Sequence, residues 1–230
     1  PAPKTDQRWR LWALQAGVAL GSRLPRRVAY GMARIAGDLA YRYRHAARAD
    51  VEDNMRHVLG PNAPVEDVRR NAREAFRNVA RYYVDLIRLP KLTPEQLRDR
   101  DVRINGLEIL EGYLAAGRGV IVATAHYGNP EIGVQVGAVI GLNVLVLAEP
   151  LQPPAFADLM RRIRAGFGPR YVDVSFSAVA EAMRHLRGGG CLAITVDRDI
   201  QGKGTPLEFF GEPARLPLGA VELAVRTNAV

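Results

Sequence analysis

The 230-residue sequence is poor in cysteine and histidine, and its N-terminal part lacks an apolar run long enough to span a bilayer. Cys191 is the only cysteine, which excludes an intramolecular disulfide and a cysteine-rich zinc site and is typical of a reducing compartment. Apart from His126, the histidines lie in segments predicted to be helical, without the spacing of metal ligands, so we expect no catalytic metal. The uncharged run Leu11–Ser22 is shorter than the roughly 20 apolar residues that a membrane-spanning helix needs.

Acidic residues are also scarce relative to basic ones, 24 against 32, and most of the formal charge of +8 comes from arginine. Such a charge favours anionic partners, among them phospholipid, nucleic acid and phosphate-bearing ligands. Nucleic acid is disfavoured, because the arginines share helices with tryptophan and aliphatic stripes and no recognised nucleic-acid module appears. A hydrophobic content of 48% argues against disorder, and we expect one large domain with an N-terminal appendage.

Residues 1–90 have the pattern of basic amphipathic helices. Residues 7–22 place tryptophans beside arginines, which is typical of the membrane–water interface, although a helix docked on its own protein explains the segment equally well. A second helical pattern follows Pro25 and combines one apolar stripe with an arginine-rich remainder. The stripe consists of Val28, Met32, Ile35, Leu39 and Tyr43. We therefore predict that residues 1–90 form a membrane-facing helical region.

A longer helix is predicted over residues 64–89. Its apolar residues repeat at helical spacing, and we expect them in the core. They are Val65, Val68, Ala72, Ala75, Phe76, Val79, Tyr83 and Leu86.

Residues 91–230 alternate between strand and helix patterns. This alternation predicts an α/β fold with a largely parallel central sheet covered by helices. The predicted strands are Asp101–Asn105, Val120–Ala125, Leu142–Ala148, Tyr171–Val174 and Cys191–Val196, and a hairpin is expected within Pro206–Gly219.

The stretch with the clearest chemical pattern is Gly119–Gly133, where a strand delivers His126 to a turn before a helix that contains Glu131. Asn129 and Pro130 are typical of the cap and first position of a helix. A histidine can act as a general base and a carboxylate can orient it. No serine, cysteine or threonine lies within 126–133, so the pair would assist direct attack by a hydroxyl or water. A structural histidine beside a surface glutamate remains the alternative.

Further candidate residues follow the other predicted strands or lie near them. Open α/β sheets usually place their sites at the carboxyl ends of strands. The candidates for substrate binding are Glu149, Arg164, Asp197, Arg198, Asp199, Phe209, Phe210 and Arg215. Turn residues, structural salt bridges, solvated arginines and a core hairpin are the corresponding structural alternatives.

Several blocks together resemble one family. The chain is similar to the bacterial lysophospholipid-acyltransferase-like superfamily, in the branch of the lipid A lauroyl and myristoyl transferases and the phosphatidylinositol mannoside acyltransferases. The matching residues are His126 and Glu131 of a His-x4-Asp/Glu motif, Glu149, Arg164 with Gly168, Asp197–Asp199, Phe209–Gly211, Arg215, Pro217, Gly219 and Asn54–Gly60. Asp197–Asp199 is closer to the mannoside enzymes, whereas Glu131 is closer to the lipid A enzymes, so the acceptor stays open.

The resemblance implies transfer of a fatty acyl group from acyl-CoA or acyl-carrier protein to a hydroxyl of a glycolipid or phospholipid. His126 would be the general base with Glu131 as its partner, and no acyl-enzyme, metal or bound cofactor would be needed. Arg164 and Arg198 would contact phosphates, and Phe209 and Phe210 would line the acyl chain. The implied location is the cytoplasmic face of the bacterial inner membrane, on an anionic surface. We expect residues 91–230 to be the acyltransferase core, with its C-terminal part incomplete.

Two other functions fit the same residues. One is a thioesterase or lipid hydrolase that uses His126 and Glu131 to activate water. The other is a non-catalytic membrane-binding protein that keeps the fold.

Overall fold

The computed structural model describes residue 18 and residues 21–98, 104–165, 168–199 and 202–230. The helices are α1 (Arg26–Tyr43), α2 (His45–Leu59), α3 (Val65–Arg88), α4 (Pro94–Arg98), α5 (Leu107–Ala115), α6 (Pro130–Val139), α7 (Pro154–Arg164), α8 (Phe176–Arg187) and α9 (Gly219–Thr227). The strands are β1 (Val120–Thr124), β2 (Val144–Ala148), β3 (Arg170–Asp173), β4 (Cys191–Thr195), β5 (Thr205–Phe209) and β6 (Glu212–Leu216).

The internal contacts divide the chain into two units. The first contains the described residues up to Arg88 together with Glu208–Ala214. The second contains Leu89–Leu207 and Arg215–Val230 within the described ranges. The first unit is thus mainly helical, and the second holds the central sheet.

The central sheet confirms the predicted α/β fold. Its four strands are parallel in the order β1-β4-β2-β3, and β5 and β6 form a separate hairpin. Helices α6, α7 and α8 connect successive strands of the sheet, as parallel pairing requires. The carboxyl ends of all four strands therefore lie along one edge, which is where α/β proteins form their sites.

Apolar side chains cover both faces of this sheet. On one face Leu145, Leu147 and Leu192 pack in a single buried cluster with Ala182 of α8 and Leu223 of α9. On the other face Val144 of β2 and Cys191 and Ala193 of β4 are buried. Helix α6 contacts β2 on that side, where Gly137 lies against Val144. Burial on both faces explains why these strands are almost continuously apolar in sequence.

In the helical unit α1 packs on α3 through small residues. Ala29, Ala33 and Gly37 are buried, whereas the large stripe that the sequence singled out on α1 is exposed, with Ile35 62% and Met32 56% accessible. A Cβ atom at Gly37 would lie 2.7 Å from the Cα of Arg77, so the two backbones touch there. The narrow contact surface of α1 leaves part of α3 uncovered.

The prediction for α3 is accordingly wrong in part. Val68, Ala72 and Leu86 are buried as expected, but Val65, Val79 and Tyr83 are between 45% and 56% exposed. Arg77, which is not part of the predicted apolar stripe, is buried where α3 contacts Gly37 of α1.

Two predicted elements lie largely outside the described residues. Most of the predicted helix over residues 7–22 and residues 101–103 of the predicted strand Asp101–Asn105 lie outside the described residues, and Ile104 and Asn105 are not in a strand. Among the described helices, none combines the length and the apolar character that crossing a membrane requires.

Because α1 and α3 approach closely at one glycine of α1 and not at another, we expect alanine to affect stability differently at the two positions. We expect Gly37→Ala to destabilise the protein by about 1–3 kcal/mol, because its methyl group would overlap the α3 backbone. A methyl group at Gly31 would meet no atom within 4 Å, so Gly31→Ala should instead stabilise by about 0.5–1 kcal/mol through helix propensity. Urea unfolding measures both, and equal effects of the two changes would contradict this packing.

Candidate active site

The pairing register of β1 and β4 brings His126 and Asp197 together. Thr124, the last residue of β1, pairs with Thr195, the last residue of β4. His126 and Asp197 each lie two residues beyond that pair, and the Val196 N–H donates to the Thr124 carbonyl between them. The sheet therefore presents an imidazole and a carboxylate side by side at its carboxyl edge.

The Asp197 carboxylate holds His126 at two points. One oxygen is 2.8 Å from the ring Nδ1 and the other accepts the backbone N–H of His126 at 2.8 Å. Partial burial raises the pKa of Asp197, but the hydrogen bonds from the backbone and ring of His126 outweigh it, and the net effect lowers that pKa. An ionised carboxylate only accepts hydrogen bonds, so Nδ1 carries a proton, and in the neutral ring Nε2 then has the lone pair. The His126 side chain is 50% exposed, so a reactant can reach it.

Glu131 is not the carboxylate that pairs with His126, contrary to the sequence prediction. It is 7% exposed, and one oxygen accepts from Arg164 Nε at 3.0 Å and from Nη2 at 2.6 Å. The other oxygen accepts the Tyr171 hydroxyl at 2.8 Å. These bonds tie the first turn of α6 to the end of α7 and to β3. Arg164 uses two of its N–H donors for Glu131, which conflicts with the expectation that it contacts a phosphate.

Tyr171 and Gln135 complete this network, and the sequence analysis missed both. The Arg164 guanidinium lies 4.8 Å from the centre of the Tyr171 ring, and the fully buried Gln135 donates to the Arg164 carbonyl at 3.3 Å. Burial, followed by the charge of Glu131, raises the pKa of Tyr171, so its hydroxyl stays a donor. The sequence could have indicated that Gln135 belongs to this network, because it is four residues after Glu131 in an otherwise apolar helix and therefore lies on the same helix face.

Glu149 and Arg198 lie at neighbouring strand ends and form a loose ion pair. Arg198 Nη1 is 3.5 Å from Glu149 Oε2, and both side chains are largely exposed, 59% and 42%. The sequence placed both residues at the carboxyl edge, and the structure brings them together there. An exposed pair of this kind can exchange its partner for a ligand at little cost.

Asp199 and Arg215 support a loop. The Asp199 carboxylate accepts the backbone N–H groups of Lys203 and Gly204 at 3.2 and 2.7 Å, and Arg215 donates to the Gly204 carbonyl at 3.0 Å. These contacts favour a structural role for both residues. Phe209 and Phe210 pack edge to face at the hairpin turn, with ring centres 4.6 Å apart, and each is about half exposed.

The start of α6 supplies backbone donors next to His126. Asn129 caps the helix by accepting the Ile132 N–H at 3.3 Å, and Pro130 occupies the first helical position, as the sequence predicted. Gly128 has φ of +65°, which suits glycine at this turn. Within the described part of the chain, the N–H groups of Gly128 and Asn129 have no hydrogen-bond partner.

No cluster of three metal-binding side chains occurs among the described residues. The groups described above are an imidazole, carboxylates, guanidinium groups and backbone N–H donors.

A model of the family described as bacterial lipid A biosynthesis acyltransferase matches residues 3–230. The chain belongs to this family. It is an acyltransferase, an enzyme that needs an acyl donor and a lipid acceptor, and the family match supports action on a glycolipid.

Curated relatives agree with this assignment. The phosphatidylinositol mannoside acyltransferase of Mycobacterium tuberculosis (strain ATCC 25618 / H37Rv) is 31% identical over 228 residues, which cover 95% of this chain and 69% of the relative. The enzyme with the same name from Mycolicibacterium smegmatis is 29% identical over 223 residues, which cover 93% of this chain and 71% of the relative.

Glu131 is buried and Glu149 is exposed in this acyltransferase, so we expect their replacement to change the stability by different amounts. We expect Glu131→Gln to lower the free energy of unfolding by about 3 kcal/mol, because it leaves the charge of Arg164 unpaired in a largely buried place. Glu149→Gln is the matched control and should cost less than about 1 kcal/mol, since its ion pair is exposed. Urea unfolding of both variants is the measurement. An unchanged stability of Glu131→Gln would show that the ion pair does not hold α6.

Proposed function

We propose that His126 is the general base of an O-acyl transfer, with Asp197 as the carboxylate that fixes its tautomer. The observation that carries this proposal is the pair of hydrogen bonds that Asp197 accepts from the backbone N–H and the ring of His126. It leaves Nε2 with a lone pair and without a partner among the described residues, on a half-exposed ring. A base held in this way has lost much of its rotational freedom before the substrate arrives.

The reaction would proceed without an acyl-enzyme. The acceptor hydroxyl attacks the carbonyl carbon of the acyl thioester while Nε2 of His126 takes its proton. The tetrahedral intermediate then collapses, its C–S bond breaks, and the imidazolium returns the proton to the leaving thiolate. The ionised Asp197 stabilises the imidazolium between these two steps.

The negative charge on the tetrahedral oxygen needs donors of its own. The N–H groups of Gly128 and Asn129 are the best candidates, because they lie two and three residues after His126 and are not used within the described structure. The positive end of the α6 dipole favours an anion at the same place. General base catalysis contributes roughly 10²–10⁴-fold, so positioning and charge stabilisation must supply the remainder.

Glu131 acts on the reaction as a positioning residue. Its bonds to Arg164 and Tyr171 fix the first turn of α6, and that turn follows directly on His126 and the backbone donors. This role differs from the direct contact with His126 that the motif implies.

The proposed substrates follow from the family and its relatives. The acceptor is a hydroxyl of a glycolipid of the phosphatidylinositol mannoside or lipid A type, and the donor is acyl-CoA or acyl-carrier protein. Arg198 and Glu149 would bind the acceptor, with the arginine toward phosphate and the carboxylate toward hydroxyls. Phe209 and Phe210 remain candidates for lining the acyl chain. No bound cofactor takes part in this scheme.

Membrane attachment is proposed for the exposed stripe of α1. An apolar row flanked by arginines matches the interface of an anionic bilayer, where the apolar residues enter the headgroup boundary and the cations stay at its surface. The corresponding location is the cytoplasmic face of the bacterial inner membrane, with the protein bound peripherally or monotopically.

His126→Ala is the first test of the mechanism. We expect the turnover number to fall by roughly 10²–10⁴-fold with an unchanged unfolding midpoint. The turnover number of Asp197→Asn should fall by up to about 10⁴-fold, because an amide no longer imposes the tautomer. His57→Ala, on exposed α2, is the control and should be as active as the unaltered enzyme. Mass spectrometry of products from mixed acyl-CoAs and a native lipid extract gives the rates.

Three outcomes would change the assignment. Acyl transfer by His126→Ala at the unaltered rate would rule out His126 as the base. Release of free fatty acid at the same rate with and without glycolipid would indicate a hydrolase, which the exposure of His126 to water permits. An absence of turnover with every donor would favour a non-catalytic membrane-binding protein.

The proposed membrane attachment predicts a loss of vesicle binding when the α1 stripe is made polar. Replacing Met32 and Ile35 by serine should weaken binding to phosphatidylglycerol-containing vesicles by about tenfold, because two exposed apolar side chains no longer enter the bilayer. The control replaces the exposed Val221 and Val225 of α9 by serine and should bind as before. Co-sedimentation measures both, and equal binding of the α1 variant and the unaltered protein would contradict this attachment.

A further inference from the structure

The helical unit contains an arginine-lined groove between α1, α2 and α3. Its larger part has a volume of about 560 Å³, and an adjoining part of about 420 Å³ shares Tyr41, Arg48 and Arg73 with it. The arginines that line the two parts are Arg42, Arg48, Arg69, Arg70, Arg73 and Arg77. The acidic residues that line them are Asp38, Glu66 and Glu74.

Carboxylates neutralise only some of these arginines. Asp38 serves two of them, since its Oδ1 accepts Arg73 Nε at 2.7 Å and Arg77 Nε at 2.6 Å. The hydrogen bond from Arg77, followed by that from Arg73, holds the pKa of Asp38 well below its usual range. Glu74 also accepts a hydrogen bond from Arg77, and Arg48 and Arg70 pair with Glu52 and Asp67, so four of the six arginines have a carboxylate partner.

Arg42 and Arg69 have no carboxylate partner within the described residues. The guanidinium of Arg42 lies 5.8 Å from the centre of the Tyr43 ring. Arg69 lines the larger part of the groove, and its charge helps to lower the pKa of Glu52 without an ion pair. Both side chains are exposed and have donors available for an anion.

The groove adjoins the apolar stripe of α1. Leu39 is 50% exposed and belongs to both, since it lines the smaller part of the groove. Tyr43 is 66% exposed at the end of the same stripe, beside Arg42. Cationic and apolar surfaces therefore meet at one place, as they do in proteins that bind the headgroup region of a bilayer.

We propose that this groove binds the phosphate of an anionic phospholipid headgroup at the membrane surface, with Arg42 and Arg69 as the contacting residues. The inference rests on the proposed membrane attachment by the α1 stripe, and it adds a headgroup site that is formed by none of the proposed catalytic residues. Arginine suits it because its fork of donors matches two phosphate oxygens at once. The volume lies within the range of about 300–1,000 Å³ typical of small-molecule sites, so a phosphate with its esterified alcohol fits.

Vesicle co-sedimentation tests the proposal. The variant Arg42→Gln/Arg69→Gln removes two charges that make no ion pair in the described structure, so the fold should be retained, and its unfolding midpoint checks this. The control is Arg184→Gln/Arg226→Gln, which removes two charges from exposed arginines on α8 and α9. The vesicles are phosphatidylcholine alone and phosphatidylcholine mixed with an equal amount of phosphatidylglycerol.

We expect the groove variant to lose at least about tenfold in affinity for the mixed vesicles and to bind phosphatidylcholine as the unaltered protein does. The control should lose less than about twofold. Equal losses in both variants would reduce the effect to net charge and overturn the site. Unchanged vesicle binding of the groove variant would also overturn the headgroup site. The proposed membrane attachment would still stand if the α1 stripe variant had lost its vesicle binding.

Calorimetric titration with inorganic phosphate separates the two sources of the anion. Weak phosphate binding that the groove variant loses together with its preference for mixed vesicles supports a headgroup site. The opposite result is tight phosphate binding that the groove variant loses, with unchanged vesicle binding. It would assign the groove to a soluble anion and overturn the lipid proposal.

Discussion

The buried ion pair between Glu131 and Arg164 is the interaction on which the arrangement of the active site depends. A carboxylate that is 7% exposed is stable only if its charge is compensated, and here a guanidinium and a tyrosine hydroxyl provide three hydrogen bonds. The partners come from α7 and β3, so the pair fixes the start of α6 relative to both. That start carries the backbone N–H groups that follow His126, and their positions are therefore set by an ion pair in which His126 takes no part.

This arrangement gives the two acids near His126 different tasks. Glu131 has both oxygens occupied by Arg164 and Tyr171, which leaves little capacity for an imidazole. Asp197 is less buried and makes both of its contacts with His126. The spacing of the His-x4-Glu motif then has a structural explanation. It places the histidine on the turn and the glutamate in the first turn of the helix, where a negative charge is favoured by the helix dipole.

Much of this organisation could be predicted from the sequence, because it rests on local patterns. The apolar strands, the Asn129–Pro130 helix start and the position of Glu149 and Asp197 after strands all depend on neighbouring residues. The pairing of His126 with Asp197 could not be predicted, because it requires that β4 lie next to β1, and strand order is a property of the whole fold. The exposure of Val79 and Tyr83 was missed for a similar reason, since helical spacing shows a stripe but not the width of the helix that covers it.

The contact between His126 and Asp197 depends on the register of β1 and β4, and contacts at the opposite edge of the sheet set that register. His185 Nε2 donates to the carbonyls of Asn143 and Cys191, at 3.0 and 3.1 Å, where β2 and β4 begin. Gly190 allows this, because a Cβ atom there would lie 2.4 Å from the His185 ring.

The Val120 N–H then donates to the Gly190 carbonyl at 3.1 Å, and Gly119 passes so close to the Leu186 carbonyl that no larger residue fits. A slip of one residue between the strands would turn either His126 or Asp197 to the other face of the sheet. The glycines and the histidine at the amino edge therefore help to determine which carboxylate contacts His126 at the carboxyl edge.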